Sequence, residues 1–146
     1  MSSCLFCENK EIKERIIVKN ELVFAFPTNI PIVPGHVILC PVRHILGVNE
    51  LTEQELRAVF EIIGKIKNAM GKAFGAEGFN FACNEGELAG QSVKHLHFHI
   101  LPRKEGDTGI TEYEPRKFLY RPGSRETTPE SELKDVADIL KKSLKL

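Results

Sequence analysis

Three observations predict an α+β fold: short β-rich runs early and late in the chain, one long segment of helical apolar spacing between them, and a helix start near the C-terminus. Arg15 to Lys19 and Leu22 to Phe26 flank the turn residue Asn20 and read as two strands, and the fully apolar Val37 to Cys40 reads as a third. The sheet therefore opens with a hairpin. Thr52-Glu53-Gln54-Glu55 is a capping box, after which Leu56, Val59, Phe60, Ile63, Ile66, Met70 and Ala73 recur at helical spacing until Gly75 and Gly78. This is the main helix, about five turns long, and its apolar stripe is core. Phe79 to Asn84 and Lys94 to Leu101 supply two further strands, joined by the Glu85 to Gln91 loop. Thr128, with Pro129 at the first helical position, starts a C-terminal helix that ends in Lys141, Lys142 and Lys145. Residues 1–128 are expected to form a single domain, with 129–146 as a helix packed on it or extending it.

Length and charge narrow the function classes. A chain of 146 residues is one domain long, buries about two-thirds of its unfolded surface and needs no disulfide. Lys plus Arg equals Asp plus Glu at 20 each. A net charge of zero provides no broad field for nucleic acid, so any phosphate must be held by local groups. Met1-Ser2-Ser3-Cys4 lacks the charged and apolar regions of a secretory signal, and no apolar run approaches membrane-spanning length, so a soluble, cytoplasmic protein without membrane partners is expected. In that setting the four cysteines are reduced thiols or metal ligands. Cys40 and Cys83, beside Leu39 and Ala82, are expected to be buried as small hydrophobes.

The chemistry is concentrated in His95-Leu96-His97-Phe98-His99-Ile100-Leu101, bounded by Pro102. On an extended chain His95, His97 and His99 share one face while Leu96, Phe98 and Ile100 pack behind them. Positions i and i+4 lie roughly 13 Å apart whereas zinc–nitrogen bonds span about 2 Å, so one ion takes at most two of the three imidazoles. The remaining one is suited to nucleophilic or proton-carrying work. Polar alternation on an exposed edge strand gives the same pattern, but three of the chain's five histidines seldom fall together by chance. Cys4-Leu5-Phe6-Cys7 is a Cys-x-x-Cys knuckle, equally compatible with a metal and with a frayed N-terminus that binds none. In the loop before the histidines, Asn84-Glu85-Gly86 and Ala89-Gly90-Gln91-Ser92 let backbone amides approach phosphate oxygens, and also supply ordinary turn geometry.

The histidine segment resembles the signature of the histidine triad (HIT) family, His-apolar-His-apolar-His followed by two apolar residues, at all seven positions. The resemblance continues through Asn84-Glu85-Gly86, Gly90-Gln91-Ser92-Val93, Pro34-Gly35-His36 and Pro41-Val42-Arg43-His44, spanning Cys4 to Lys104. It implies a HIT-like fold with an antiparallel five-stranded sheet. It also implies that His97 attacks the α-phosphorus of a nucleotide to form a nucleotidyl-histidine that water hydrolyses, with His99 and His36 in support. Asn84, Gln91 and Ser92 would hold the phosphate and leaving-group oxygens, and Phe6, Ile17 and Phe26 would surround the base. Many members carry an acid for the ribose after the Ala-Phe pair; this chain has Ala25-Phe26-Pro27-Thr28-Asn29, and Asn29 is the substitute, as in the fragile histidine triad branch.

Some relatives, and the galactose-1-phosphate uridylyltransferases, hold structural zinc in a pattern that maps onto Cys4, Cys7, His44 and His95. Zinc is thus the implied cofactor, with no organic one. Leu101 to Asp107 resembles the dinucleoside polyphosphate hydrolases, while Asn84-Glu85-Gly86 through Gln91-Ser92 is similar to the nucleoside phosphoramidases. Hydrolysis of dinucleoside polyphosphates or adenylylated compounds leads, phosphoramidate cleavage follows, and a zinc-stabilised nucleotide-binding or scaffold protein is the reading from another class. The expected partners are an adenylyl nucleotide and, by family habit, a second copy of the chain. Arg116, Lys117, Arg121, Arg125, Tyr113 and Tyr120, between Gly106 and Thr127, are read as a solvated segment or a subunit contact rather than a nucleic-acid grip.

Overall fold

The computed structural model describes residues 4–107 and 127–144. The basic and aromatic residues from Tyr113 to Arg125 and the terminal Lys145 lie outside the described residues. Two short helices come first, α1 (Leu5–Glu8) and α2 (Lys10–Glu14). Asn9 Oδ1 accepts from the Ile12 amide at 2.9 Å and caps α2. The helix closes on the first residues expected in the opening strand: Arg15 is its C-cap, its amide donating to the Ile12 carbonyl at 3.1 Å, and the chain then bends at Ile17. The first strand, β1, is therefore only Val18–Lys19. Asn20 makes the turn as expected, its Oδ1 accepting from the amides of Leu22 and Val23 at 2.8 and 2.9 Å.

Strands β2 (Val23–Pro27), β3 (Val37–Pro41), β4 (Gly78–Cys83) and β5 (Phe98–Arg103) complete a five-stranded sheet of order β1-β2-β3-β5-β4, antiparallel throughout. Every position of β2 and β3 is buried, because both faces of the sheet's centre are covered. On one face Val23, Ala25, Val37, Leu39 and Ile100 pack against helix α3 (Glu53–Phe74) and helix α4 (Glu130–Leu144) through Val59, Ile62, Ile66, Met70, Ala137 and Leu140. On the other, Phe24, Phe26, Ile38 and Cys40 meet Phe6 and Ile12 from the N-terminal helices. Those helices cover only part of the second face. The remainder is open and carries the histidines.

α3 follows the expected boundaries. Thr52 Oγ1 accepts from the Glu55 amide at 3.1 Å, Glu55 Oε1 accepts from the Thr52 amide at 2.9 Å, and Gly75 ends the helix at φ +67°, a left-handed conformation open to glycine. Glu55 has a second task. Its two oxygens accept from Arg43 Nε and the second guanidinium nitrogen at 3.0 and 2.7 Å, which ties the segment after β3 to the start of α3. Those hydrogen bonds from Arg43 hold the Glu55 carboxyl at about 2, against the desolvation that opposes ionisation.

Strand β5 differs from expectation at both ends. It starts at Phe98 rather than Lys94, and it runs through Pro102 to Arg103. β3 begins opposite Ile100, so beyond that point β5 has a ladder partner only in β4 and the missing N–H of Pro102 can face the vacant side. Before Phe98 the chain leaves the ladder: it bends from Val93 to His95, the His95 amide donating to the Val93 carbonyl at 2.8 Å, and the Leu96 amide then donates to the Ile45 carbonyl at 2.7 Å. Cys40 is buried as expected. Cys83 is exposed, because it ends the edge strand β4.

Candidate active site

The second face of the sheet holds a cavity of about 230 Å³ lined by His36, His97, His99, Asn84, Ser92 and Asn29, with Leu5, Phe6, Ile32, Ile38 and Val93 among the apolar walls. The β3–β5 register places His99 opposite Ile38, while its neighbours Phe98 and Ile100 oppose Leu39 and Val37 on the helix side. His36 sits just before β3, after a turn in which Gly35 has φ +90°. A Cβ at Gly35 would lie 2.8 Å from the Phe74 ring, so glycine is required both by conformation and by space.

The hydrogen bonds assign the protons. The Ile32 amide donates to His36 Nδ1 at 3.1 Å, which leaves the proton of His36 on Nε2. That Nε2–H donates to His99 Nδ1 at 2.9 Å, so His99 carries its own proton on Nε2. His97 donates from Nδ1 to the His95 carbonyl at 2.8 Å, leaving Nε2 as an unprotonated lone pair. His97 is 3% exposed, and this burial lowers its pKa and favours the neutral ring, with the His95 carbonyl opposing. The His97 and His99 rings lie 5.0 Å apart, edge to face. A bare imidazole nitrogen and an imidazole N–H donor thus line one cavity side by side.

The first histidine of the motif faces elsewhere. His95 donates from Nε2 to the Pro41 carbonyl at 2.8 Å, so its Nδ1 is bare. That atom lies 3.4 Å from Cys4 Sγ and 3.5 Å from Cys7 Sγ, and His44 Nδ1 is 3.7 Å from Cys7 Sγ. All four donor atoms fall within 4.8 Å of one another. Ligands around tetrahedral zinc stand about 3.5 Å apart, and thiolate with imidazole is a zinc-type donor set, so the residues present fit such an ion. Desolvation, then the neighbouring Cys4, push the Cys7 thiol up to about 11, and a bound cation would offset that. The ionic fork of Arg43 on Glu55 fixes the segment that delivers His44.

Among the expected site residues, His36, His97, His99, Asn84, Ser92, Asn29 and Phe6 come together around the cavity, and Cys4, Cys7, His44 and His95 around the metal-type cluster beside it. Three do not line the cavity. Ile17 sits in the bend after α2 and packs on the helix side of the sheet, away from any base site. Phe26 is 1% exposed beneath Phe6, with ring centroids 5.3 Å apart, and borders only a small side hollow with Arg15 and Asn29. Gln91, expected at the phosphate, directs Oε1 to the Gly86 amide at 2.8 Å and so braces its own loop. Ile32, Ile38, Thr28 and Val93 line the cavity without having been anticipated. Ile38 was detectable in principle, since it alternates with the core residues Val37 and Leu39, but a fully apolar run conceals which face each residue takes.

The HIT domain family profile matches residues 9–106. The chain belongs to the HIT family. Among curated relatives, a bis(5'-adenosyl)-triphosphatase of Dictyostelium discoideum is 34% identical over 119 residues, covering 82% of this HIT chain and 76% of that protein. An asymmetrical bis(5'-nucleosyl)-tetraphosphatase of Schizosaccharomyces pombe is 34% identical over 107 residues, covering 73% of this chain and 59% of that protein. A Zn-bound histidine triad family protein from Mycobacterium smegmatis superposes with a TM-score of 0.73 at 22% identity, covering 98% and 94% of the two chains. At that identity the likeness establishes the HIT fold alone.

Proposed function

We propose that this HIT protein is a hydrolase of dinucleoside polyphosphates and related adenylylated compounds, acting through a nucleotidyl-histidine on His97. The observation that carries this reading is the proton arrangement, in which His97 Nε2 is an unprotonated nucleophile beside the Nε2–H of His99. In the first step the Nε2 lone pair forms a bond to the α-phosphorus while the bond to the bridging oxygen breaks. The departing oxygen takes that electron pair and is met by the His99 N–H. In the second, water attacks the same phosphorus, the nitrogen–phosphorus electrons return to His97, the water's proton is released, and a nucleoside monophosphate leaves. Charge accumulating on the equatorial oxygens would be met by donors from Asn84 and Ser92. Asn29 is assigned to the ribose and Phe6 with Ile38 to the base. The names of the curated relatives support this substrate class.

Zinc is the ion proposed for Cys4, Cys7, His44 and His95, where it would supply a fold-fixing crosslink. Two copies are proposed to associate through the edge strand β4 and the exposed side of α3, where Phe81 is 50% and Phe60 65% exposed and Lys67 lies over the Phe79 and Phe81 rings. Phe81→Lys is expected to convert the dimer to a monomer in sedimentation; an unchanged sedimentation coefficient would place the contact elsewhere.

The deciding experiment is product analysis with diadenosine triphosphate and adenosine phosphoramidate offered separately. AMP plus ADP from the first, at the higher kcat/KM, supports the polyphosphate reading. Faster release of AMP from the second makes the enzyme a phosphoramidase. Bound but uncleaved nucleotide in both cases leaves a binding module. Among the described residues no helix is long and apolar enough to cross a membrane.

A further inference from the structure

We infer that the Cys4–Cys7 knuckle is a positioning device for His97 and for one wall of the nucleotide cavity, so that metal occupancy sets substrate affinity and turnover as well as stability. The inference rests on the nucleotidyl-histidine reading above. The two residues enclosed by the knuckle, Leu5 and Phe6, are themselves cavity lining. Phe6 is 5% exposed and stands edge-on to both His97 and His95, at 5.0 and 5.8 Å between centroids. Yet the helix that carries it, α1, has four residues and no side-chain cap at Cys4, so beyond the packing of Phe6 on Phe26 it has little to hold its place. At its two ends stand Cys4 and Cys7, which an ion would fix through a ligand set shared with His44 and His95.

His95 connects that set to the nucleophile. Its Nδ1 faces Cys4 and Cys7, its Nε2–H is held by Pro41, and its carbonyl accepts from His97 Nδ1. A shift of the knuckle therefore reaches His97 by two routes, through the Phe6 ring packed on it and through the carbonyl that sets its proton. The remaining contacts between thiols and imidazole are weak substitutes for metal–ligand bonds. Misplacement of a reacting group by about 1 Å costs on the order of 10²-fold in rate, so a loosened α1 suffices to affect catalysis while the sheet and α3 remain folded.

The test compares the full chain loaded with zinc and stripped by a chelator, each with native Phe6 and with Phe6→Ala. Three quantities are read: AMP affinity by calorimetry, the rate of His97 modification by diethyl pyrocarbonate, and zinc content. Stripping is expected to weaken AMP about tenfold and to speed His97 modification several-fold in the native chain, with restoration on re-addition of zinc. In Phe6→Ala the difference between the stripped and loaded forms is expected to shrink, since the route through Phe6 is gone and only the route through the His95 carbonyl remains. Equal affinity and equal His97 modification in loaded and stripped native chain would overturn the inference, as would an undiminished stripping effect in Phe6→Ala or a chain that takes up no zinc. If stripping unfolds the protein, zinc-loaded Phe6→Ala decides: faster His97 modification at full zinc content supports the coupling, and an unchanged rate refutes it. If the loaded native chain binds no AMP and cleaves no dinucleotide, the functional reading fails separately, and His97 modification alone judges the coupling.

Discussion

His97→Ala is expected to lower kcat for a dinucleoside polyphosphate by about 10⁴-fold or more, a loss far beyond the fall of a few degrees in melting temperature that truncating a buried ring brings. The ring removed is the one whose Nε2 carries the lone pair, and the fold loses its buried hydrogen bond from Nδ1 to the His95 carbonyl together with its edge-to-face contacts with Phe6 and His99. His99 cannot take over the attack. Its Nδ1 accepts from His36 and its Nε2 bears the proton, so it has no lone pair to offer the substrate. Rapid quench with an α-³²P-labelled adenylyl substrate provides the direct check: acid-labile, alkali-stable label on the native protein and none on the variant. His97→Gly should regain part of its turnover with added imidazole, which can enter the vacated space and act as the nucleophile. A variant that keeps its rate within tenfold would mean that water attacks phosphorus directly, and the covalent route would be abandoned.

The second large effect is on stability. Arg15 is 4% exposed, stacks over the Phe26 ring and donates from Nε to the Pro27 carbonyl at 2.8 Å, while its terminal nitrogen pairs with Glu130 at the start of α4. Burial lowers the Arg15 pKa and Glu130 opposes that shift, but the guanidinium keeps its charge at neutral pH with or without its partner. Glu130→Ala leaves a buried cation uncompensated. Glu130 is 26% exposed and water can partly replace it, so the expected cost is about 3 kcal/mol, a fall of about 10 °C in Tm. The double variant Arg15→Met, Glu130→Ala should recover part of that loss, since it removes the unpaired charge itself. A loss below about 1 kcal/mol in the single variant would show the pair to be solvated in practice. Nucleotide affinity should fall with stability here, because the Thr128 amide just before α4 donates to the Asn29 carbonyl at 2.7 Å and holds the residue assigned to the ribose.

How much of this was legible beforehand depends on the range of the interaction. The helix α3 was readable to within a residue, since its Thr52 cap, Glu55 box and Gly75 terminus are all local. The placement of His97 and His99 on one face was readable too, since alternate side chains share a face of an extended chain, whereas His95 lies in a bend and turns to the cysteines instead. Ile17 was misplaced for the opposite reason. It sits in the bend that follows the C-cap of α2 at Arg15, and how a helix end hands over to a strand is not written in a β-branched run. Gln91 shows a further limit: a side chain beside a phosphate-type loop can serve the loop itself, and only the Gly86 amide at 2.8 Å discloses which. The proton assignments were beyond sequence altogether, since they depend on carbonyls and amides that no residue letter encodes.

That last point bears on how such a site can vary. Every ring proton in the cluster traces back to a main-chain group: the Ile32 amide for His36 and through it His99, the His95 carbonyl for His97, and the Pro41 carbonyl for His95. An amide can only donate and a carbonyl can only accept, and neither titrates nor changes when a side chain is exchanged. The direction of the relay is thus insulated from substitution at the positions that supply it, proline at position 32 excepted. Residues lining the cavity are then free to drift toward new bases and leaving groups while the acid and the nucleophile keep their places.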